Sequence, residues 1–411
     1  MTLGSLFDGI AGFPLAASRY GIKTIWASEI EENCIDIAKK HFPEVIHLGN
    51  ILEINGAEIP EVDIISFGSP CQDLSVAGKQ KGLDGSRSKL FLEAIRIVQE
   101  MREKTNGEYP KYIIWENVAG AFSSHKGEDF RRVLEEITES NIPMPKSGRW
   151  ANSGLVGIEG RGGEVCTVAW RLFDAQFWGV PQRRKRIYLV ADFRNGRAGQ
   201  ILFECESLLG YSETCGTEEQ GSAGNTKDCT IGTDSGGLAE DADGQLTLDF
   251  GRTADRIYIN AKKSVTLMGR AGGGGGKTGL YLFPVFTIIG NIIGRSAKAG
   301  GNGKGIDDTG ISPTLTTADR HAVAYTEPAH TGKYRVRRLT PTECERLDGF
   351  PDGWTGTGQS GKEMSDNARY MALGNSIAIP CAERVFAGIT EVEREIKENE
   401  LLLQTTIQNA K

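Results

Sequence analysis

The chain has 411 residues, which is enough for two domains or for one core with a large appended module. With 39% hydrophobic and 25% charged residues, it has the composition of a globular protein, and a largely disordered chain is excluded. It contains no run of 18 apolar residues and no N-terminal signal-peptide pattern, so we expect a cytoplasmic protein with no membrane partner.

The first two hundred residues alternate short apolar segments with longer amphipathic ones, a pattern typical of a parallel sheet wrapped by helices. It predicts a doubly wound α/β domain. The predicted strands are Leu3–Phe7, Thr24–Ala27, Asp63–Phe67, Tyr112–Trp115 and Ile187–Ala191. The predicted helices are Phe13–Tyr20, Glu32–His41, Leu90–Arg102 and Asp129–Ser140.

Segment 143–166 is rich in glycine and proline and is interpreted as an irregular surface excursion.

The composition of the chain changes after about residue 195. Beyond 195, glycine, serine and threonine surround short β-like runs, and a final helix is predicted over Ala378–Lys397. We therefore expect a first domain over 1–194, completed by 366–411, and a smaller, mostly β domain over 195–365.

Charge is unevenly distributed along the second part of the chain, although the formal net charge is −7. Residues 204–243 hold ten acids and one base, whereas residues 252–304 hold nine bases and one acid. The basic segment could bind phosphates, or it could be a solvated surface with no partner.

The loop after the first predicted strand has features of a nucleoside site. Gly9 and Gly12 would let a ligand approach the backbone, and Glu29 ends the second strand, where an acid can accept hydrogen bonds from a ribose. The incomplete G-x-G-x-x-G pattern argues against a dinucleotide, whose pyrophosphate needs a closer cradle. A tight turn with an incidental glutamate is the alternative.

Cys71 and Glu116 follow two further predicted strands. The eight cysteines form no C-x-x-C pair and none has a histidine at zinc spacing, so no metal site is predicted. In open α/β sheets, ligands bind beyond the carboxyl ends of the strands, where both residues would lie. A pyrimidine becomes nucleophilic at carbon 5 when a nucleophile adds to carbon 6 and an acid engages ring nitrogen 3, and a thiol with a carboxyl group can do both.

Six short strings, in order, resemble the bacterial and phage DNA (cytosine-5) methyltransferases. They span residues 6–376 and leave only 195–334 without a family-wide motif. The strings are Leu6-Phe7-Asp8-Gly9-Ile10-Ala11-Gly12, Gly68-Ser69-Pro70-Cys71-Gln72, Glu116-Asn117-Val118, Gln182-Arg183-Arg184-Lys185-Arg186, Arg338-Leu339-Thr340-Pro341 through Gly349-Phe350-Pro351, and Gly374-Asn375-Ser376.

The resemblance implies a Rossmann-like fold, S-adenosylmethionine as cofactor and methylation of carbon 5 of a flipped-out cytosine in double-stranded DNA. Cys71 would be the covalent nucleophile, Glu116 would contact the base, Arg186 would reach its 2-oxo group, and Arg184 would support the pocket. The implied cofactor-binding residues are Phe7, Gly9, Gly12, Glu29, Asn50, Pro70, Leu90 and Asn375.

Asn50 departs from the family pattern, which commonly has an aspartate there for the adenine amine. An amide oxygen can still accept that hydrogen bond, but without charge. A cap on the following turn is an equal alternative.

For DNA, the resemblance implies base flipping, a lid over residues 72–90 and a target-recognition role for the second domain. Ser75, Lys79 and Arg87 of the lid would meet phosphate or fill the vacated space. Thr314-Leu315 resembles the family's pair near the flipped nucleotide, and Thr266-Leu267 is a weaker match. The glycine runs 272–276 and 300–305 fit either close backbone approach to DNA or hairpin tips.

Three other functions compete with this interpretation. A tRNA cytosine-5 methyltransferase would use the same cysteine chemistry, a catalytically silent paralogue would bind without turnover, and a nicotinamide dehydrogenase would need a complete dinucleotide fingerprint. The family default is a monomer, with a restriction-modification or phage self-protection role and a separately encoded restriction endonuclease as partner.

Overall fold

The computed structural model describes residues 1–69, 89–159, 165–194, 196–203, 311–316, 321–326 and 334–409, together with short strands between 237 and 307. The chain divides into two compact units. The first comprises Met1–Tyr211, Ile311–Arg320 and Leu339–Lys411, and the second comprises Ser212–Gly310 and His321–Arg338. Among the described residues, no helix has both the length and the apolar character that a membrane crossing requires.

An eight-stranded mixed sheet forms the centre of the first unit, in the order β3-β2-β1-β4-β5-β9-β7-β6. The first five strands of that order run parallel, as the alternating pattern predicts. The pattern is wrong for the other three, because β9 pairs antiparallel with β5, β7 with β9, and β6 with β7, so the sheet is mixed. The strand order reverses between β1 and β4, which is where open α/β sheets bind ligands. The strands are β1 (Thr2–Leu6), β2 (Lys23–Ser28), β3 (Ile46–His47), β4 (Ile64–Phe67), β5 (Tyr112–Val118), β6 (Ser153–Glu159), β7 (Val165–Asp174) and β9 (Lys185–Asp192).

Helices cover this sheet and bury its apolar core, as the periodicity predicts. An aromatic cluster that includes Phe91, Trp115, Phe130 and Trp170 lies among the core residues. The first helix packs on the last, where the rings of Phe13 and Phe386 meet edge to face. The helices are α1 (Gly12–Ser18), α2 (Glu32–His41), α3 (Lys89–Lys104), α4 (Glu128–Thr138), α5 (Ala198–Leu202), α6 (Pro341–Asp348), α7 (Asp366–Asn375) and α8 (Ile379–Asn409).

The interpretation of 143–166 as an irregular excursion is wrong, because β6 and the start of β7 lie there. One glycine of this segment, Gly154, reflects a neighbouring side chain, because a Cβ there would overlap the Trp170 ring. Glycine is therefore needed beside a tryptophan on the paired strand, and this cross-strand cause cannot be distinguished from loop composition in the sequence.

The described part of the second unit consists of strands in two four-stranded sheets. One has the order β10-β11-β12-β13 and the other β15-β14-β17-β18. The strands are β10 (Gly237–Glu240), β11 (Leu246–Asp249), β12 (Ile257–Ile259), β13 (Leu280–Leu282), β14 (Val285–Ile288), β15 (Ile306–Asp307), β17 (Ala322–Thr326) and β18 (Tyr334–Arg338).

The division into units differs from the expected boundary at residues 365 and 366. Segment 339–365 belongs to the first unit, since α6 packs on α7 and the following loop contacts α2. Residues 311–320 also belong there, because β16 (Ser312–Pro313) pairs with β8 (Gln182–Arg183). Both segments lie far along the chain from their partners, and local composition carries no sign of these contacts.

Candidate active site

The loop between β1 and α1 has a tightly constrained backbone. Phe7, Gly9 and Ala11 all have positive φ, of 53°, 58° and 63°. For residues other than glycine this region is costly, and it persists when surrounding contacts fix it. The N–H of Gly9 donates to Glu29 Oε2 at 2.8 Å, and a Cβ on Gly9 would meet nothing within 4 Å. The loop therefore presents open backbone beside a carboxylate.

Glu29 follows β2 and its carboxylate is held by three backbone N–H groups. Besides Gly9, the N–H groups of Ile30 and Glu31 donate to Oε1 at 2.7 and 3.0 Å. A carboxylate has about four acceptor positions, so room for about one further donor remains.

Asn50 caps the short 3₁₀ helix Ile51–Glu53, as the alternative interpretation has it. Its Oδ1 accepts from the N–H of Leu52 at 3.1 Å. An amide oxygen has two lone pairs, so this contact uses one of them. Ser28 donates to the carbonyl of Gly49 at 2.7 Å, which ties this turn to the end of β2 and so to the Glu29 side of the crevice.

Glu116 lies at the carboxyl end of β5, against the end of β4. Its side chain is 9% exposed, and a Cβ on Gly68 would lie 3.2 Å from its Oε2. Ser69 accepts hydrogen bonds from Trp115 Nε1 at 3.1 Å and from Asn117 Nδ2 at 3.3 Å. Strand β5 thus holds the residues that lead into the Pro70-Cys71 string.

Five predicted site residues lie outside the described part of the chain. They are Pro70, Cys71, Ser75, Lys79 and Arg87. Leu90 is half-buried in the first turn of α3, which begins at Lys89. The roles of these five residues and of Leu90 remain predictions.

Arg186 forms the charged partner of Glu116. Its Nε lies 3.0 Å from Glu116 Oε1, and both side chains are largely buried. Burial raises the pKa of Glu116, while the positive charges of Arg186 and Arg184 act in the opposite direction. The net direction is upward, so the pKa of Glu116 lies above that of an ordinary glutamate.

Arg184 connects three segments that are distant in sequence. Its Nη1 donates to the carbonyl of Leu315 at 3.1 Å, and its Nη2 donates to Gly374 at 3.4 Å and to the Ser376 carbonyl. The side chain is almost fully buried. These hydrogen bonds join the segments around residues 315 and 374–376 to the arginine string, and the predicted pocket-supporting role of Arg184 remains a prediction.

Thr314 and Leu315 lie beside the arginine string. The Thr314 hydroxyl donates to the carbonyl of Arg183, and Leu315 is buried with its N–H directed at Gln182 Oε1, 3.5 Å away. Thr266-Leu267 lies outside the described residues. The structure thus brings residues 314 and 315 to β8, at the start of the string 182–186 that contains Arg184 and Arg186.

Asn375 ends α7 and is exposed. The two residues after it lie against the cofactor loop: a Cβ on Gly12 would be 2.9 Å from Ile377 and 3.3 Å from Ser376 Oγ. The C-terminal motif therefore borders the same crevice. Gly12 is needed for close packing here, a reason that the sequence did not reveal.

Gln182 and Asp348 also belong to this site, although sequence reasoning assigned them no role. Gln182 Nε2 donates to Asp348 Oδ1 at 2.9 Å and to the Leu347 carbonyl at 3.1 Å. Burial raises the pKa of Asp348 to about 6, while Arg184 and Gln182 lower it. The only sequence signal was the position of Gln182 at the start of the arginine string.

These strand ends therefore hold a buried acid with an arginine, a backbone loop with a fixed carboxylate, and the chain leading to Cys71. The family model for the C-5 cytosine-specific DNA methylases matches residues 1–144 and 166–391. The chain belongs to this family. The predicted family, fold class and enzyme class, DNA (cytosine-5) methyltransferase, are confirmed.

Three curated relatives illustrate the similarity. The DNA N-6-adenine-methyltransferase of Escherichia phage P1 is 27% identical over 96% of this chain, which spans 62% of that relative's length. Type II methyltransferase M1.ScrFI of Lactococcus lactis subsp. cremoris is 26% identical over 95% of this chain and 78% of its own. Type II methyltransferase M.HhaI of Haemophilus parahaemolyticus is 25% identical, with coverages of 91% and 89%.

Two solved structures share the fold. A DNA modification methyltransferase encoded within an Escherichia coli prophage has a TM-score of 0.50 and 18% identity, covering 96% of this chain and 99% of its own. The S. pombe Dnmt2 methyltransferase has a TM-score of 0.50 and 16% identity, with coverages of 95% and 98%. At these identities, the likeness concerns the fold.

Proposed function

We propose that this cytosine methylase acts on a specific sequence of double-stranded DNA and forms a covalent bond between Cys71 and a flipped-out cytosine. The observation that carries the proposal is the buried carboxyl group of Glu116, paired with Arg186 and placed against Gly68. Cys71 follows Ser69 by two residues, so it can lie no more than about 7 Å from Ser69 along the chain. A thiol and a raised-pKa acid thus serve one crevice.

The chemistry assigns one task to each residue. The Cys71 thiolate adds to carbon 6 while Glu116 donates to ring nitrogen 3, so carbon 5 becomes nucleophilic. Carbon 5 takes the methyl group, and the neutral thioether S-adenosylhomocysteine would be the leaving group. A base then removes the proton from carbon 5, and the electron pair of that C–H bond expels the Cys71 thiolate from carbon 6 to release the product. Arg186 balances charge beside Glu116 and would face the 2-oxo group.

S-adenosylmethionine is the cofactor that the loop after β1 supports, and it would supply the methyl group. Phe7, Gly9 and Gly12 would line its site, and Glu29 would accept from the ribose with its remaining lone pair. The cofactor has a ribose but no phosphate, so the open loop suits it. Asn50 and Asn375 border the same crevice, and Leu90 would lie at its edge.

Duplex DNA is the proposed substrate. The target base lies inside the stack, so extrusion costs a few kcal/mol. Thr314 and Leu315 lie beside β8, at the start of the arginine string, and Ser75, Lys79 and Arg87 of the lid would contact phosphate. We assign sequence recognition to the second unit, and a restriction-modification or phage self-protection role fits the Type II names of several relatives.

Replacement of Cys71 by serine tests the proposal. Loss of the nucleophile should reduce transfer of a tritiated methyl group to duplex DNA by on the order of a thousandfold or more, while cofactor binding persists. Cys166→Ser on β7 is the matched control, since this cysteine lies in a strand away from the crevice, and it should stay near wild-type activity.

The labelled product separates the alternatives. We expect the label in 5-methylcytosine of duplex DNA. Equal labelling of that DNA by the wild type and by Cys71→Ser would refute the covalent mechanism. Preferential labelling of tRNA in a parallel reaction would favour the RNA enzyme, and N6-methyladenine would place the chain with the phage P1 relative's named activity. Cofactor binding without any transfer would indicate a silent paralogue.

A further inference from the structure

The segment between α6 and α7 has no function assigned by the motifs, and it contacts the loop between β1 and α1. We define the strap as residues 351–365, between α6 and α7. Its Trp354 indole Nε1 donates to the carbonyl of Ile10 at 2.9 Å, and both groups are buried. The two residues are 344 positions apart in the sequence. The strap thus touches the loop that would bind the cofactor.

Each of the three central residues of the loop, 8–10, makes a backbone hydrogen bond to a residue outside the loop. The N–H of Asp8 donates to the Ser28 carbonyl at 3.0 Å, the N–H of Gly9 donates to Glu29, and the carbonyl of Ile10 accepts from Trp354. The costly positive φ values of Phe7 and Ala11 flank these contacts. Such a conformation persists only where the surroundings over-determine it.

The Trp354 ring is itself rigidly held. It stacks on the His41 ring with centroids 3.6 Å apart and an angle of 3° between the planes. His41 Nε2 lies 2.9 Å from the Trp354 carbonyl, and the centroid of the Phe350 ring lies 5.5 Å from that of Trp354. The direction of the indole N–H is therefore fixed toward Ile10.

The strap is anchored at both ends. Buried Glu345 accepts from the N–H groups of Gly353 and Thr355 at 2.7 and 2.8 Å. Further along, Asp36 of α2 accepts from the N–H and the hydroxyl of Ser360 at 3.0 and 2.6 Å. Gly358 allows this approach, since a Cβ there would lie 1.9 Å from the Asp36 carboxylate.

We propose that Trp354 is a positioning residue for the S-adenosylmethionine site, and that its N–H holds the loop 7–11 in the conformation that binds the cofactor. The proposal rests on the proposed function. The role of Trp354 follows because a loop released from one of its contacts samples other conformations. Cofactor binding must then select the conformation that can bind, which costs free energy. A ready-made loop avoids that cost.

Trp354→Phe removes the N–H and keeps an aromatic ring. The Kd for S-adenosylmethionine, measured by calorimetry, should rise about fivefold, because a net hydrogen bond of ~1 kcal/mol corresponds to roughly that factor. The turnover number at saturating cofactor and the KM for DNA should stay within about twofold of wild type. Hydrogen exchange at the amides of residues 8–11 should be faster in the cofactor-free variant.

Trp170→Phe is the matched control. Trp170 is similarly buried and donates one hydrogen bond, to the Ala151 carbonyl at 3.1 Å, on the far part of the sheet. It should lower Tm comparably and leave cofactor affinity unchanged. Where phenylalanine at 354 unfolds the chain, β-(3-benzothienyl)alanine there keeps the bicyclic ring and removes only the N–H.

Equal cofactor affinities for Trp354→Phe and Trp170→Phe, with unchanged exchange at residues 8–11, would overturn the inference while leaving the proposed function intact. A wild-type chain without measurable S-adenosylmethionine binding would overturn the proposed function and this inference together.

Discussion

Asp8 carries a carboxyl group inside the cofactor loop, where water is excluded. It is 6% exposed, and the Ser5 hydroxyl donates to its Oδ1 at 2.6 Å. Burial raises the pKa of Asp8 to about 7, with a smaller upward contribution from the charge of Glu29, whereas the Ser5 hydrogen bond lowers it. Near neutral pH this residue therefore exchanges a proton that an ordinary aspartate has already lost.

Asp8→Asn should make stability less sensitive to pH. Below about pH 4 the carboxyl is protonated in both the folded and unfolded states. As pH rises toward about 7, the unfolded chain releases the proton and the folded chain retains it, so stability falls by at most about 1.4 kcal/mol per pH unit and then levels off. The advantage of Asp8→Asn over wild type should thus grow between pH 5 and pH 8 in urea unfolding.

Asp352→Asn is the control for this titration. Asp352 is exposed, and its hydrogen bond with Arg346 lowers the pKa of its carboxyl, so its contribution is fully present above pH 4 and constant from pH 5 to 8. A difference between Asp8→Asn and wild type that stays flat over that interval would contradict the assigned burial effect.

At the scale of elements, the sequence predicts what is local and misses what is distant. The apolar periods locate β1, β4, β5 and most helices, and the rule for parallel strand ends brings Glu29 and Glu116 to one edge. Phe7, expected inside the first strand, instead leaves it with a positive φ. The contacts of Arg184 with Leu315 and Ser376 cross more than 130 residues, and a single sequence carries no local signal for them.

Arg184→Lys should destabilise the chain strongly. A lysine ammonium cannot match the planar fork that reaches three carbonyls, so buried acceptors around Leu315 and Gly374 would lose their donors, at a cost of about 2–4 kcal/mol. The exposed neighbour Arg183→Lys should cost less than about 0.5 kcal/mol. Equal unfolding free energies for the two variants would show that Arg184 does not join these segments.

For the whole molecule, charge distribution matters more than the total. A net charge of −7 would repel DNA if it were evenly spread, yet nine bases lie within 252–304, a range that falls in the second unit. The proposed crevice lies in the first unit. We therefore expect the two units to have separable tasks, with chemistry and cofactor binding in the first and phosphate attraction in the second.

The double variant Lys262→Glu, Lys263→Glu tests that separation. If both lysines meet phosphates, the slope of log affinity for duplex DNA against log salt should become shallower by about 2, since each contact contributes about 0.9. S-adenosylmethionine affinity should not change, because the cofactor loop is in the first unit. Arg394→Glu, Lys397→Glu on α8 subtracts the same charge from a solvent-facing helix, so it isolates the effect of net charge. An identical salt slope in wild type and the Lys262/Lys263 variant would mean that these lysines do not meet DNA, and the basic segment would then be only a solvated surface.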